Sequence, residues 1–200
     1  MRPKKKHNQK SEKKLTVTFS LLIAVLFCSV GVSHADGLWD TLKSDNHLVL
    51  MRHALAPGYS DPDNFDVKDC STQRNLNELG QKQAEDIGHL FRSNGITNAV
   101  VLSSQWCRCL GTANFLNLGK VSEAPFLNSF FKNFDREQFQ TDRTLQWIQK
   151  ASLVIPTILV THQVNIAALT GHSPTSGEIV FVRRSTDGRI EVIGNIQTKE

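Results

Sequence analysis

Two arginines and two histidines stand at matching places in this 200-residue chain. Leu48-Val49-Leu50-Met51 runs directly into Arg52-His53. Val100-Val101-Leu102 runs into Ser103-Ser104, with Arg108 just beyond, and Ile158-Leu159-Val160 runs into Thr161-His162. Arginine offers a planar, permanently charged fork that fits phosphate oxygens. A neutral imidazole nitrogen can attack phosphorus and form a phosphohistidine, which splits hydrolysis into two steps. Guanidinium groups beside His53 would lower its pKa and favour the unprotonated form that attack needs. His162, as a charged donor, would stabilise phosphoryl oxygens as charge develops. Arg108, near a helix start, would add the positive end of the helix dipole. The catalytic set is therefore His53, Arg52, Arg108 and His162, the last three also binding substrate. Taken singly, each arginine also reads as a surface or ion-pairing residue and each histidine as a structural one. A two-histidine metal site lacks a third ligand in a matching motif, and Cys107-x-Cys109 lacks the second cysteine pair of a zinc site.

Placing these groups together requires a particular arrangement of elements. Short continuous apolar runs suit strands buried on both faces of a parallel sheet, and ligands of such sheets bind outside the carboxyl ends of the strands. Residues 54–74 are rich in Pro, Gly, Asp and Asn. They read as a long loop that walls or covers the site. Helices follow over 76–93, started by an Asn75/Glu78 capping box and closed by Gly95, and over 107–118, stopped at Gly119. Residues 126–139 are aromatic and irregular, 144–151 helical, and 165–170 a short helix ending at Gly171. Strands over 99–103 and 157–161 separate the helices. Segments 178–184 and 189–196 flank Asp187-Gly188, a hairpin signal. The fold class is α/β: a three-layer α/β/α sandwich whose sheet is mainly parallel with an antiparallel edge hairpin.

Residues 1–35 read as a cleaved secretory signal peptide. Seven lysines and arginines against Glu12 precede the apolar stretch centred on 21–27, and Ser33-His34-Ala35 supplies small residues for cleavage. An uncleaved membrane anchor is the competing reading, since the apolar stretch is barely long enough to span. Residues 36–200 form one domain. The whole chain has 23 basic and 19 acidic residues; without the leader 16 and 18 remain, a net charge of −2. The apparent basicity therefore belongs to targeting and gives no argument for nucleic-acid binding. Export points to the periplasm and an oxidising compartment. Cys107 and Cys109 are too close in sequence to pair, so one of them bonds Cys70 and leaves a free thiol, unless all three are reduced.

Four segments, in order, resemble the histidine phosphatase superfamily, the phosphoglycerate-mutase-like group. They are Leu50-Met51-Arg52-His53-Ala54, Leu76 to Ala84 with Gly80 and Gln83, Ser104 to Ala113 with Arg108 and Thr112, and Val160 to Ile166 with His162. The resemblance spans about residues 47–182. It implies a phosphatase acting through a phosphohistidine on His53, with Arg52, Arg108 and His162 as its phosphate pocket and no metal or organic cofactor. Two departures stand out. Ala54 replaces the family's glycine. The family's glutamate proton donor has no match in Leu127-Asn128-Ser129-Phe130-Phe131. Glu123, Asp135 and Glu178 are the substitute proton donors by elimination, although each also reads as a solvated carboxylate; an acid on the 54–74 loop, such as Asp61 or Asp69, is the alternative. The expected substrate is a phosphorylated small molecule or envelope sugar phosphate, such as one of the lipopolysaccharide core. The competing function is a phosphate-binding or interaction module of the same fold without turnover, motivated by the missing acid and Ala54. A mutase fits export poorly.

Overall fold

The computed structural model describes Met1, Pro3 and residues 34–199. The leader assigned to 1–35 thus lies almost wholly outside the described residues. The chain divides into two units, of which the second, Val32–Glu200, is compact and holds the described elements. The elements of the second unit are α1 (His34–Leu42), β1 (His47–Arg52), α2 (Glu78–Ser93), β2 (Val100–Ser103), α3 (Cys107–Leu116), β3 (Val121–Glu123), α4 (Glu137–Lys150), β4 (Thr157–Thr161), α5 (Gln163–Thr170), β5 (Ile179–Arg184) and β6 (Ile190–Ile196), joined by short 3-10 turns. Among the described residues no helix is long and apolar enough to cross a membrane.

The strands form one six-stranded sheet in the order β3-β2-β4-β1-β5-β6. β3, β2, β4 and β1 run parallel, whereas β5 pairs antiparallel with β1 and carries β6 as an antiparallel edge. Successive side chains of a strand point to opposite faces, and β1 shows the consequence. Val49 and Met51 pack with Leu38, Trp39, Ile87, Phe91 and Leu116 of α1–α3. Leu48 and Leu50 pack with Ile148 of α4 and Ile166 of α5. The layers are therefore helices α1–α3, the sheet, and helices α4–α5. Because both faces are covered, the central strands are continuous apolar runs rather than alternating ones; all five residues of β4 are buried.

Several boundaries differ from the sequence expectation. Asn77 rather than Asn75 caps α2, its side chain accepting from the Gly80 amide at 2.9 Å. Asn75 instead donates to the carbonyls of Cys70 and Gln73 in the preceding loop. α3 stops at Leu116, two residues early, because Asn117 takes the left-handed conformation (φ 50°). α4 starts at Glu137, within the segment read as irregular. α1 and the three-residue β3 have no counterpart in the sequence expectation. The hairpin turns at Asp187-Gly188 as expected, with Gly188 at φ 83°.

Candidate active site

β1 and β4 are adjacent and parallel, with Arg52 in register with Thr161, so their ends deliver Arg52-His53 and His162 side by side. The His53 amide donates to the Thr161 carbonyl (3.0 Å), and the His53 carbonyl accepts from Gly177 (3.1 Å). The chain then meets α2 and α3. The Ala54 amide donates to Thr112 Oγ1 (2.9 Å), whose hydroxyl donates to the carbonyl of Arg108 (2.7 Å). The Leu55 amide donates to Gln83 Oε1 (2.8 Å), and Gln83 Nε2 donates to the Ser176 carbonyl (3.0 Å). A Cβ at Gly80 would lie 1.9 Å from the Leu55 carbonyl oxygen, so only glycine lets α2 approach this closely. Gly80, Gln83 and Thr112 thus hold the backbone that leaves His53. Ala54 is fully buried and does not take a positive φ, so the backbone after His53 does not require a glycine at this position.

The His53 ring is fixed at one nitrogen. Nδ1 lies 2.8 Å from the Ala54 carbonyl, which can only accept, so Nδ1 carries the hydrogen and Nε2 bears a lone pair. Arg108 Nε donates to that lone pair at 3.2 Å. Burial, reinforced by the Arg108 guanidinium, holds the imidazole neutral well below the ordinary histidine value. His162, whose ring centroid is 5.5 Å away, is likewise held neutral, first by burial and then by Arg108. Its Nε2 lies 2.9 Å from Ser104 Oγ, which in turn bonds Asn128 Oδ1 (3.2 Å), and its Nδ1 faces Arg108 Nη2 at 3.5 Å. Arg52 turns its Nη1 to the Pro174 carbonyl (2.9 Å) and reaches the same cavity.

These four side chains line a cavity of about 500 Å³. Arg74 lines it too, a third guanidinium that the sequence pattern does not single out. Its Nη1 bonds the carbonyls of Ala56 and Gly58. Burial, then the charge of Arg108, lowers its pKa to about 10. Tyr59, Trp106 and Phe131 supply aromatic walls, while Lys132 and Arg136 stand at the rim. Tyr59 and Arg74 come from the 54–74 loop, Phe131, Lys132 and Arg136 from 128–136, and Trp106 from the residue just before α3.

The acids fall differently from the elimination. Glu123 is exposed and bonded to Gln105, and Asp135 is exposed; neither lines the cavity. Glu178 is buried and fully engaged by His172 (2.5 Å), the Thr175 amide (2.8 Å) and Asn195 (2.7 Å), so it braces the β5 start and is also absent from the lining. Asp69 caps an exposed 3-10 turn. Asp61 enters the pocket and forks onto Arg108 at 2.7 and 3.2 Å. The loop carrying it is tied to the start of α3 by a disulfide, Cys70–Cys107, leaving Cys109 as the free cysteine. That thiol is buried behind His162, and burial pushes its pKa up to about 12, so it is inert. Among the described residues no three histidine, cysteine or acidic side chains cluster as metal ligands would.

Solved phosphatase structures share this fold. Among solved structures, SixA of Agrobacterium tumefaciens matches with a TM-score of 0.53 at 19% identity, over 77% of this chain and 99% of that one. A mycobacterial glucosyl-3-phosphoglycerate phosphatase matches with a TM-score of 0.54 at 14% identity, over 75% and 98%. The protein histidine phosphatase SixA complexed with tungstate matches with a TM-score of 0.50 at 17% identity, over 76% and 96%. No protein-family model and no curated protein sequence matches the chain.

Proposed function

We infer that this protein is a phosphatase that hydrolyses phosphomonoesters through a phosphohistidine on His53, without a metal or organic cofactor. The observation that carries this reading is the orientation of the His53 ring: Nδ1 is held by the Ala54 carbonyl, and the lone pair of Nε2 faces the guanidinium of Arg108 at 3.2 Å. A phosphoryl group bound by Arg108 therefore sits against the attacking nitrogen. Nε2 forms the N–P bond as the ester P–O bond breaks, and water then cleaves the N–P bond. Arg52 adds a second cationic fork. His162 is neutral at rest, and an arriving dianion favours its protonated form, whose Nδ1–H then donates to a phosphoryl oxygen.

The size of the cavity and its aromatic walls suit a phosphorylated small molecule bearing a ring, and an envelope sugar phosphate fits that description. The leader and the disulfide agree with a periplasmic protein reached through an N-terminal signal peptide, a membrane entering only through that segment if it stays uncleaved. Nucleic acid is not a partner in this reading.

The test is release of p-nitrophenol from p-nitrophenyl phosphate by the purified protein in EDTA. Release that survives the chelator and vanishes in His53→Ala is expected. Release that persists in His53→Ala, or that EDTA abolishes, overturns the reading. Binding of phosphate esters without any release makes the protein the turnover-free module instead.

A further inference from the structure

A phosphatase of this kind needs a proton for the departing oxygen, and the three acids suggested by elimination do not reach the cavity. Two acids line it, Asp61 and Asp63, and Asp63 is exposed. Asp61 is the one bonded to the guanidinium that also touches the nucleophile. Arg108 presents Nε to His53 and its Nη pair to Asp61. The Asp61 carboxylate receives two further donors, the indole N–H of Trp106 (3.0 Å) and the Arg74 amide (3.0 Å). The planar fork of Arg108 is thus occupied by an anion of the chain itself, where a phosphoryl group would dock.

We propose that Asp61 is the proton donor and acceptor of the reaction, parked on Arg108 at rest and handed to the leaving oxygen when an incoming phosphoryl group takes that guanidinium. The inference rests on the phosphohistidine reading above. Its logic is electrostatic. Burial alone would raise the pKa of Asp61, but hydrogen bonding and charge from Arg108, helped by the Arg74 amide and Trp106, outweigh it and keep the carboxylate ionised. A phosphate dianion removes the Arg108 contribution and adds a like charge nearby. Burial and repulsion then both favour the neutral acid, and Asp61 takes a proton from solvent.

The cycle balances. His53 Nε2 forms a bond to phosphorus, the P–O bond to the alcohol breaks, and the Asp61 proton passes to the departing oxygen. Water then attacks phosphorus and gives its proton to the Asp61 carboxylate, and the N–P electron pair returns to Nε2. Inorganic phosphate leaves, Asp61 loses its proton to solvent and returns to Arg108. The Cys70–Cys107 disulfide joins the loop bearing Asp61 to the residue beside Arg108, which bounds how far Asp61 can travel.

The test compares Asp61→Asn with the unaltered protein on two esters. p-Nitrophenolate leaves without help, whereas the alkoxide of glycerol 2-phosphate does not. The ratio of kcat on the first ester to kcat on the second should rise on the order of 10²-fold in Asp61→Asn, the usual worth of a general acid. An unchanged ratio overturns the proposal, as does an equal gain on both esters, which would make Asp61 a competitor for Arg108 and nothing more. Should Asp61→Asn fail to fold, the unaltered protein decides. Across a series of aryl phosphates, a shallow dependence of rate on leaving-group pKa is expected, and a steep one contradicts the proposal. Turnover of both esters by His53→Ala would instead sink the phosphohistidine reading itself, which separates the two failures.

Discussion

The pocket has two halves that are built differently. One half is the strand-end platform, where His53, His162 and Arg108 are fixed by backbone hydrogen bonds across β1 and β4 and by Gln83, Thr112 and Ser104. Its side chains are almost wholly buried, His53 at 2%, His162 at 3% and Arg108 at 4% exposed. The other half is the 54–74 loop, whose residues 57–59 and 62–64 are exposed and which is anchored by Asp61, Arg74 and one disulfide. The platform is over-determined and the loop is held at a few points. A nucleophile needs the first kind of support, because its lone pair must be aimed. A group that moves between Arg108 and a leaving oxygen needs the second.

That contrast is open to direct attack. The largest effect should come from His53→Ala, which removes the proposed nucleophile: kcat falls on the order of 10³-fold or more while the fold persists. Arg108→Ala comes next. It strips the phosphate fork, and kcat/KM should drop roughly 10²- to 10³-fold. It also leaves the Asp61 carboxylate without its main partner, so the thermal midpoint should fall as well. If Arg108→Ala instead binds phosphate as tightly as the unaltered protein, the platform is misassigned.

Opening the disulfide strikes only the loop half. Cys70 and Cys107 are 37 residues apart in sequence, and a closure of that length is worth about 4 kcal/mol at most in the chain-entropy account. Cys70→Ser should lower stability toward that bound and raise KM. The His53 ring should keep its tautomer, which nitrogen-15 chemical shifts of the imidazole report.

Gly80→Ala and Gln83→Ala probe the platform from outside the cavity. The first forces a methyl into the Leu55 carbonyl and should cost about 1–3 kcal/mol by overpacking. The second leaves the half-buried Leu55 amide short of its acceptor, at about 1 kcal/mol. Neither residue touches a ligand, yet both should reduce kcat, because they hold the backbone next to His53.

The smallest effect is on pH dependence. His53 and His162 are both neutral in the fold with pKa lowered below 6.5, first by burial. In the window between the depressed folded values and 6.5 the unfolded chain binds more protons than the folded one. Stability is therefore fully present above 6.5 and declines as pH falls through that window, by up to ~1.4 kcal/mol per pH unit for each histidine. For the same reason the acidic limb of kcat/KM should lie below 6.5. Equilibrium denaturation at several pH values checks the first statement, and a rate profile checks the second.

The platform was legible in the sequence residue by residue, whereas the loop half was legible only as a wall of the site, with Asp61 one of several candidate acids. Buried parallel strands announce themselves as apolar runs, so β1, β2 and β4 and the residues at their ends could be placed. The start of α4 was hidden because its buried stripe, Gln140, Thr144 and Ile148, is mostly polar. Gln140 and Thr144 face inward to bond the carbonyls of Asn128 and Phe126, which no hydropathy pattern reveals. β3 is a three-residue edge strand, too short to show a period. α1 starts at the boundary set for the leader at Ala35 and no element was read over its remaining residues, although Leu38, Trp39 and Leu42 are core residues. Two asparagines two positions apart made the α2 cap ambiguous. Asp61 meets Arg108 across 47 residues of chain through a loop without periodicity, so proximity alone, not spacing, identifies it.

In the proposed mechanism His53 Nε2 is the attacking atom. The most direct test is to quench turnover of p-nitrophenyl phosphate in alkali, which preserves phosphohistidine, and to locate the phosphoryl group by peptide mass spectrometry. Phosphate on His53, lost on acidification and absent from His53→Ala, is the expected result. Sustained turnover with the phosphoryl group on another residue, or with no phosphoenzyme at any time in single-turnover sampling, contradicts it.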